Sequence, residues 1–292
     1  MTQPLLVVDA PSMLFRAFYA LPKKIVGTDG EPVNALLGTA NLILREVETH
    51  KPRAVVLCFG PDAASYRTEL YPAYHAKREE EMPDELAPQF EKARGFFEAF
   101  NWTVATSDDL EADDLLGTYA QREAEAGGRA MLLTGDRDMY QCAGDGVTVL
   151  YVRTGGKGAE EVGPDEVRER YGIGPELVPD FIALRGDPSD GLPGAKGVGE
   201  KTAAELLRKH GSLEGVLEAA IRERRPKLRA ALIEARDDLL AFKDIATLRD
   251  AGVDPPADAP TDWAGAAAAA RERGMNRLAE RLLGADPGRG SA

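Results

Sequence analysis

Five short apolar runs limit what this chain can fold into. Residues 5–8, 54–59, 102–105, 130–134 and 147–152 are largely free of charge along their whole length. A strand that is apolar throughout, rather than at alternate positions, is buried on both faces. Between the runs, apolar residues recur at helical spacing: Leu14, Phe15, Phe18 and Leu21, then Leu36, Leu37, Ala40, Leu44 and Val47. Strands alternating with helices predict an α/β protein, a mostly parallel sheet with helices on both faces. Past Asp165 the chain reads as helical to about Arg249. A linker-like stretch with Pro255, Pro256 and Pro260 follows, then an Ala-rich helical segment over 263–283. With the glycine loop at 155–158 as boundary, the expected division is 1–165 and 166–292.

Open α/β sheets bind ligands outside the carboxyl ends of their strands, and acids fall there. Asp9 closes the first run; Asp136 and Asp138 follow the fourth. Asp9 also suits the N-cap of the next helix, and its position alone does not choose between the two. Glu111, Asp113 and Asp114 open a helix over 110–119. Acids in a first turn commonly serve the helix dipole; three in four positions exceed that need and point at something positive. Asp187 and Asp190, three residues apart among turn formers, are placed to converge on one cation. Eight carboxylates crowded together repel one another unless two divalent cations sit among them, as in two-metal phosphoryl transfer. No Cys/His spacing suggests zinc, so Mg²⁺ or Mn²⁺ is expected, two ions per site.

The acids at 187 and 190 belong to a longer stretch, LRGDPSDGLPGAKGVGEKT. In it Gly194, Gly197 and Gly199 punctuate a loop that opens a helix, with Lys196, Lys201 and Thr202 beside it. Glycines let a backbone approach a phosphate closely, and a helix N-terminus aims free N–H groups at it. Residues 66–78, YRTELYPAYHAKR, mix basic and aromatic side chains, which suits phosphates and exposed bases but equally an amphipathic surface segment.

The net charge of −13 argues against a nucleic-acid partner. Metals that cancel clustered acids, or bases gathered on one face, remove the objection; Arg222, Arg224, Arg225, Lys227 and Arg229 form one such run. Cys58 and Cys142 cannot make a disulfide framework, which fits a reducing cytoplasm. The N-terminus lacks the pattern of a signal peptide, and no apolar run approaches the ~18 residues of a membrane span.

VVDAPSMLFRAF, PVNALLG, SYRTELYPAYHAKR, LEADDLLG, LLTGDRDMYQ and LRGDPSDGLPGAKGVGEKT occur in that order. Together they resemble the 5′-nuclease family: the 5′→3′ exonuclease domain of bacterial DNA polymerase I and the flap endonucleases. The resemblance runs from Leu5 to about Leu248. It implies a PIN-like (resolvase-like) fold, a helical arch at about 66–98, and a helix–three-turn–helix of helix-hairpin-helix type that grips duplex DNA. It implies that Asp9, Glu111, Asp113, Asp114, Asp136, Asp138, Asp187 and Asp190 are metal-site acids. Arg67, His75 and Arg78 fall at the arch's catalytic positions. Gly194, Lys196, Gly197, Gly199, Lys201 and Thr202 fall at the DNA grip, with K⁺ expected there.

The implied activity is a metal-dependent 5′→3′ exonuclease and 5′ flap endonuclease in DNA replication and repair. It would be a cytoplasmic monomer acting on 5′ flaps, nicks or 5′ ends, with room for the nuclease and no polymerase. A DNA-junction binding protein with weakened chemistry and a PIN-like ribonuclease are the alternatives. Two positions depart from the family. Its second strand ends Phe-Asp, the Asp serving the metals; here Gly60 follows Phe59. Its arch reads Tyr-Lys; here His75 follows Tyr74. The expectation is that Gly60 leaves space for water, the alternative being Asp62 as a substitute carboxylate, and that His75 and Arg78 share a helical face.

Overall fold

The computed structural model describes residues 3–76, 82–153 and 158–286. The expected runs form β1 (Leu5–Asp9), β2 (Ala54–Phe59), β3 (Thr103–Thr106), β4 (Ala130–Thr134) and β5 (Val147–Val152). A sixth strand, β6 (Ala159–Val162), was not expected; its sequence, AEEV, is half polar because it lies on the sheet edge. The order is β3-β2-β1-β4-β5-β6, all neighbours parallel except the antiparallel β5–β6 pair. The chain leaves β1 to one side for β2 and β3 and to the other for β4. The carboxyl ends of β1 and β4 therefore flank the topological switch point, the crevice where such sheets bind ligands.

The helices of the first half are α1 (Ala10–Ala20), α2 (Asn34–His50), α3 (Ser65–Leu70), α4 (Ala87–Glu98) and α5 (Ala112–Glu125). Those of the second are α6 (Pro164–Tyr171), α7 (Val178–Arg185), α8 (Glu200–His210), α9 (Leu213–Ala219), α10 (Pro226–Glu234), α11 (Arg236–Ala246), α12 (Trp263–Glu272) and α13 (Asn276–Ala285). On one sheet face, Leu6, Val8, Leu57 and Leu133 pack with Phe18, Leu36 and Phe96 of α1, α2 and α4. On the other, Val7, Val56 and Leu132 pack with Leu116, Phe181, Leu207 and Phe242 of α5, α7, α8 and α11. Strands covered on both sides are why the runs are apolar throughout.

The helices of the second half pack onto the sheet: α7, α8, α9 and α11 complete the core on one sheet face. The C-terminal pair α12–α13 crosses to the opposite face, where Ala267, Leu278 and Leu282 join α1, α2 and α4. The linker-like stretch before it is pinned as a strap: Arg53 Nη1 donates to Pro256 O (2.7 Å), Ala259 N to Arg53 O (2.8 Å) and Trp102 Nε1 to Thr261 Oγ1 (3.0 Å).

The expected arch at 66–98 is shorter. Ala93, Phe96 and Phe97 of α4 are fully buried, Phe97 stacking on Trp102. Each such ring contributes about 1.5–3 kcal/mol, which makes α4 a core helix. What remains of the arch among the described residues is α3 and the turn to Ala76.

Candidate active site

β1 delivers Asp9 into the switch-point crevice. Its Oδ1 accepts from Ser12 N (3.0 Å) and its Oδ2 from Thr134 Oγ1 (2.8 Å), so it caps α1 and stands at the strand end at once. Asp136 follows β4 and is shaped by its own turn, with Oδ1 accepting from Asp138 N (2.8 Å). Asp113 enters from the first turn of α5. Asp187 and Asp190 lie in the loop after α7, closed by paired hydrogen bonds between Asp187 and Leu192 (2.8 Å each).

The charges of these groups act on one another. Burial raises the Asp113 carboxyl well above its ordinary value, and the charges of Asp9, Asp136 and Glu111 add to the rise. Burial likewise raises Asp138, with Asp136, Asp190 and Asp187 adding and Arg185 opposing. Asp136 is pushed up to about 6, by burial first and then by Asp190, Asp9 and Asp187, against the Asp138 N–H that lowers it. Burial also raises Asp9, against Ser12, Thr134 and Arg16. Asp136 feels the charges of Asp190, Asp9 and Asp187 and acts on Asp113 and Asp138, so these acids share one crevice.

The donor set is all oxygen, the chemistry of a hard divalent cation. Among the described residues no three acidic, histidine or cysteine side chains gather closely enough to hold an ion by themselves.

The structure gives Asp114, Arg67, Glu111 and Gly60 other roles than those expected. Asp114 is fully buried, and its oxygens accept from Arg67 Nη1 (3.1 Å), Arg67 Nη2 (3.0 Å), Glu111 N (3.2 Å) and Arg249 N (2.8 Å). No lone pair is left for a metal, and the positive group it faces is Arg67. Arg67, 3% exposed, also donates to Ile245 O (3.0 Å) and pairs with Glu111 (3.0 Å). Its guanidinium is spent inside the protein and does not reach a scissile phosphate. Burial works against its charge, but Glu111 and Asp114 outweigh that and raise its pKa. Glu111 itself accepts from Ala64 N (2.7 Å) and the Tyr74 hydroxyl (3.1 Å), so its carboxylate steadies the wall of the site. Gly60 leaves no space for a water in place of a side chain. A Cβ there would meet the carbonyl of Leu110 and, at 2.7 Å each, Glu111 C and Ala112 N. The backbone at the start of α5 fills the space a side chain at position 60 would take.

His75 is not on a helix. It sits in a turn at φ +55°, its ring stacked on Tyr74 (4.0 Å between centroids) and held between Asp62 (3.6 Å) and Asp190 (3.2 Å). Asp62, with its side chain 70% exposed, therefore reaches His75. Arg78 lies outside the described residues.

The grip is built as a hairpin of α7 and α8. Gly194 (φ +63°) serves the loop's own closure, since a Cβ there would meet Arg185 C at 2.6 Å. Gly197 and Gly199 face open space, and Lys196 and Lys201 are exposed beside them; Thr202 is half-buried. Two further cations, inside the motifs but not singled out as site residues, stand at the site. Arg185 Nη2 donates to Asp187 Oδ2 (3.0 Å), and Arg16 Nη2 to Gly135 O (2.6 Å), bringing positive charge to Asp9. Arg185 adjoins the Asp187 loop in sequence, and Arg16 follows Ser12 by one helical turn, so both were within reach of a spacing argument.

An acid-lined crevice at the switch point of a doubly wound sheet, beside a turn open to a nucleic-acid backbone, defines a nuclease. The description "5′-3′ exonuclease, N-terminal resolvase-like domain" matches residues 4–172, and "5′-3′ exonuclease, C-terminal SAM fold" matches 173–262. The chain belongs to the 5′-3′ exonuclease family. It is 40% identical over 239 residues to a 5′-3′ exonuclease of Mycobacterium tuberculosis, covering 75% of this chain and 74% of that one. With a 5′-3′ exonuclease of Streptomyces coelicolor it shares 36% over 301 residues, covering 95% and 98%. Against DNA polymerase I of Mycobacterium bovis it is 40% identical over 215 residues, 73% of this chain but 24% of that protein. The fold matches that of T5 5′-exonuclease with bound zinc ions (TM-score 0.73, 15% identity, 96% and 98% covered). It also matches the catalytic core of Rad2 in complex with DNA substrate (TM-score 0.61, 13% identity, 97% and 92% covered). Among the described residues no helix is long and apolar enough to cross a membrane.

Proposed function

We propose that the protein hydrolyses DNA phosphodiesters as a 5′→3′ exonuclease and 5′ flap endonuclease dependent on Mg²⁺ or Mn²⁺, acting as a monomer in replication and repair. The observation that carries this reading is the gathering of acids at the carboxyl ends of β1 and β4, with Asp187 and Asp190 in the same loop as the grip. Asp9, Asp113 and Asp136 would hold one ion; Asp136, Asp138, Asp187 and Asp190 the other. Divalent ions bound there would supply a hydroxide nucleophile near neutral pH and offset charge on the leaving oxygen.

The chain's own groups do the rest. Ser12 and Thr134 hold Asp9, the Asp138 N–H holds Asp136, and Arg185 holds Asp187, so the acids are oriented before an ion arrives. Gly197 and Gly199 admit a duplex backbone, and Lys196 and Lys201 supply charge without reading bases. K⁺ at this turn belongs to the same reading and is supported by the family resemblance.

A 5′-labelled flap substrate incubated with Mg²⁺, Mn²⁺ or EDTA tests the proposal. Cleavage near the junction, abolished by EDTA, is expected. Tight binding of the flap without cleavage under any ion would favour a junction-binding protein instead.

A further inference from the structure

The run Arg222, Arg224, Arg225, Lys227 and Arg229 has no part in the site above. Between Ile221 and Arg229 stand five cations and one acid, Glu223, in a chain of net charge −13. All five cations are exposed. Arg222, Arg224, Lys227 and Arg229 make no ion pair among the described residues. Glu223 is turned back on its neighbour, accepting from Arg225 N (2.9 Å) and Arg225 Nε (3.0 Å), so its charge is cancelled locally.

Arg225 also fixes where the strip lies, by pairing with Glu205 of α8 at 3.2 Å. Lys201, Glu205 and Lys209 sit on successive turns of one α8 face, which begins at the grip. Arg225 is shared between Glu205 and Glu223, and Glu200 beside Lys201 pairs with Arg185 (3.3 Å), so the acids on the path from Lys196 to Arg229 are each engaged and the path stays net positive. A charge run is often only a solvated helix face; continuity with the grip, with the intervening acids paired off, is what sets this one apart.

We propose that this strip is a second binding surface for duplex DNA backbone, engaged only when the duplex held at the Gly197–Gly199 turn is long enough to reach it. The proposal rests on the DNA-binding reading given under Proposed function. α8 rises about 9 Å from the turn to Glu205, where Arg225 anchors the strip, so the strip lies beyond the base pairs nearest the turn.

The test compares wild type with a triple variant, Arg224→Ala, Lys227→Ala and Arg229→Ala. Binding is measured over a range of salt to flap substrates whose duplex arms are all about 5 or all about 16 base pairs. On long arms the triple variant is expected to bind more weakly, with a log–log salt slope shallower by about 2–3, at about 0.9 for each phosphate left without its cation. On short arms the two proteins should agree. Lys196→Ala should weaken both substrates alike. Unchanged binding of the triple variant to long arms overturns the proposal; a protein docking beside Ile221 and Ile233 would give that result. Equal weakening on both lengths overturns it too. If wild type bound neither substrate, the DNA-binding reading would fall with it, whereas absence of the length effect alone overturns the strip and leaves that reading standing.

Discussion

His75 Nε2 lies 3.2 Å from Asp190 Oδ1, and the His75 backbone N–H donates to the Asp190 carbonyl at 3.0 Å. One residue thus ties the base of the arch to the metal loop by both side chain and backbone. It does so at positive φ, an uncommon conformation for a non-glycine residue. Tyr74 beneath the ring donates to Glu111, so the clasp continues to the α5 wall. His75→Ala should free Asp190 and raise the Mg²⁺ concentration for half-maximal cleavage several-fold, with a smaller fall in rate at saturating Mg²⁺. His75→Lys should not restore the Mg²⁺ requirement, because a lysine lacks the flat ring that stacks on Tyr74. A Mg²⁺ titration of cleavage decides. Collapse of the saturating rate at an unchanged Mg²⁺ requirement would instead assign His75 to the phosphate.

Gly60→Asp makes a sharper contrast with the family pattern. Restoring the family carboxylate should lower the Mg²⁺ requirement if room existed, but the Cβ would collide with the backbone of Leu110, Glu111 and Ala112. Overpacking against backbone costs typically about 1–3 kcal/mol or more. The variant should lose several degrees of thermal stability and cleave less at every Mg²⁺ concentration. Improved Mg²⁺ affinity at unchanged Tm would show that α5 yields.

Asp114→Ala separates a structural acid from a metal ligand. Breaking a buried pair by removing one partner costs about 3–5 kcal/mol, because the other charge stays buried. Arg67 is that charge, with Glu111 and Ile245 O as its remaining partners. A large fall in Tm is expected, with the Mg²⁺ requirement of the surviving folded enzyme near wild type. An undiminished Tm with a much higher Mg²⁺ requirement would return Asp114 to the metals.

Strands 54–59, 130–134 and 147–152 fall where the apolar runs place them, because burial on both faces writes itself into every residue. β6 does not, since an edge strand needs no such run. The docking of α12–α13 had no local signal: Arg281 meets Asn41 across 240 positions and Glu48 across 233. The crevice acids at strand ends were readable from the rule that ligands gather there. Glu111, Asp113 and Asp114 were read together as facing something positive; Glu111 and Asp114 pair with Arg67, while Asp113 stands among the other acids. That it is Arg67, 47 residues from Asp114, follows only from the packing of α3 on α5 and α11. Gly60 misled for a similar reason: a missing side chain says nothing of what moves in to fill its place.

The metal-free protein should be least stable where its acids are charged. Asp9, Asp113, Asp136 and Asp138 all have folded pKa values above their ordinary ones, Asp136 at about 6. Unfolded aspartate titrates near ~3.9. A raised folded pKa means the folded state holds its proton more tightly, so its stabilisation is complete below about pH 4 and is lost as pH rises through the folded value. For Asp136 that window is about pH 4–6, and a shift of its size corresponds to on the order of 3 kcal/mol. In EDTA the Tm should therefore fall between about pH 5 and pH 7.5. Mg²⁺, which binds the ionised acids, should raise Tm more at the higher pH than at the lower; saturation at about 100 times Kd contributes about 2.7 kcal/mol. Asp136→Asn keeps the acceptor for the Asp138 N–H but removes the charge. It should raise the Tm in EDTA at the higher pH by a few degrees, flatten its pH dependence and shrink the Mg²⁺ increment. Thermal unfolding of both proteins across pH, with EDTA or Mg²⁺, measures all three effects. A wild-type Tm in EDTA that is flat with pH, or an equal Mg²⁺ increment at both pH values, would show that these carboxylates do not form the repelling cluster their positions imply.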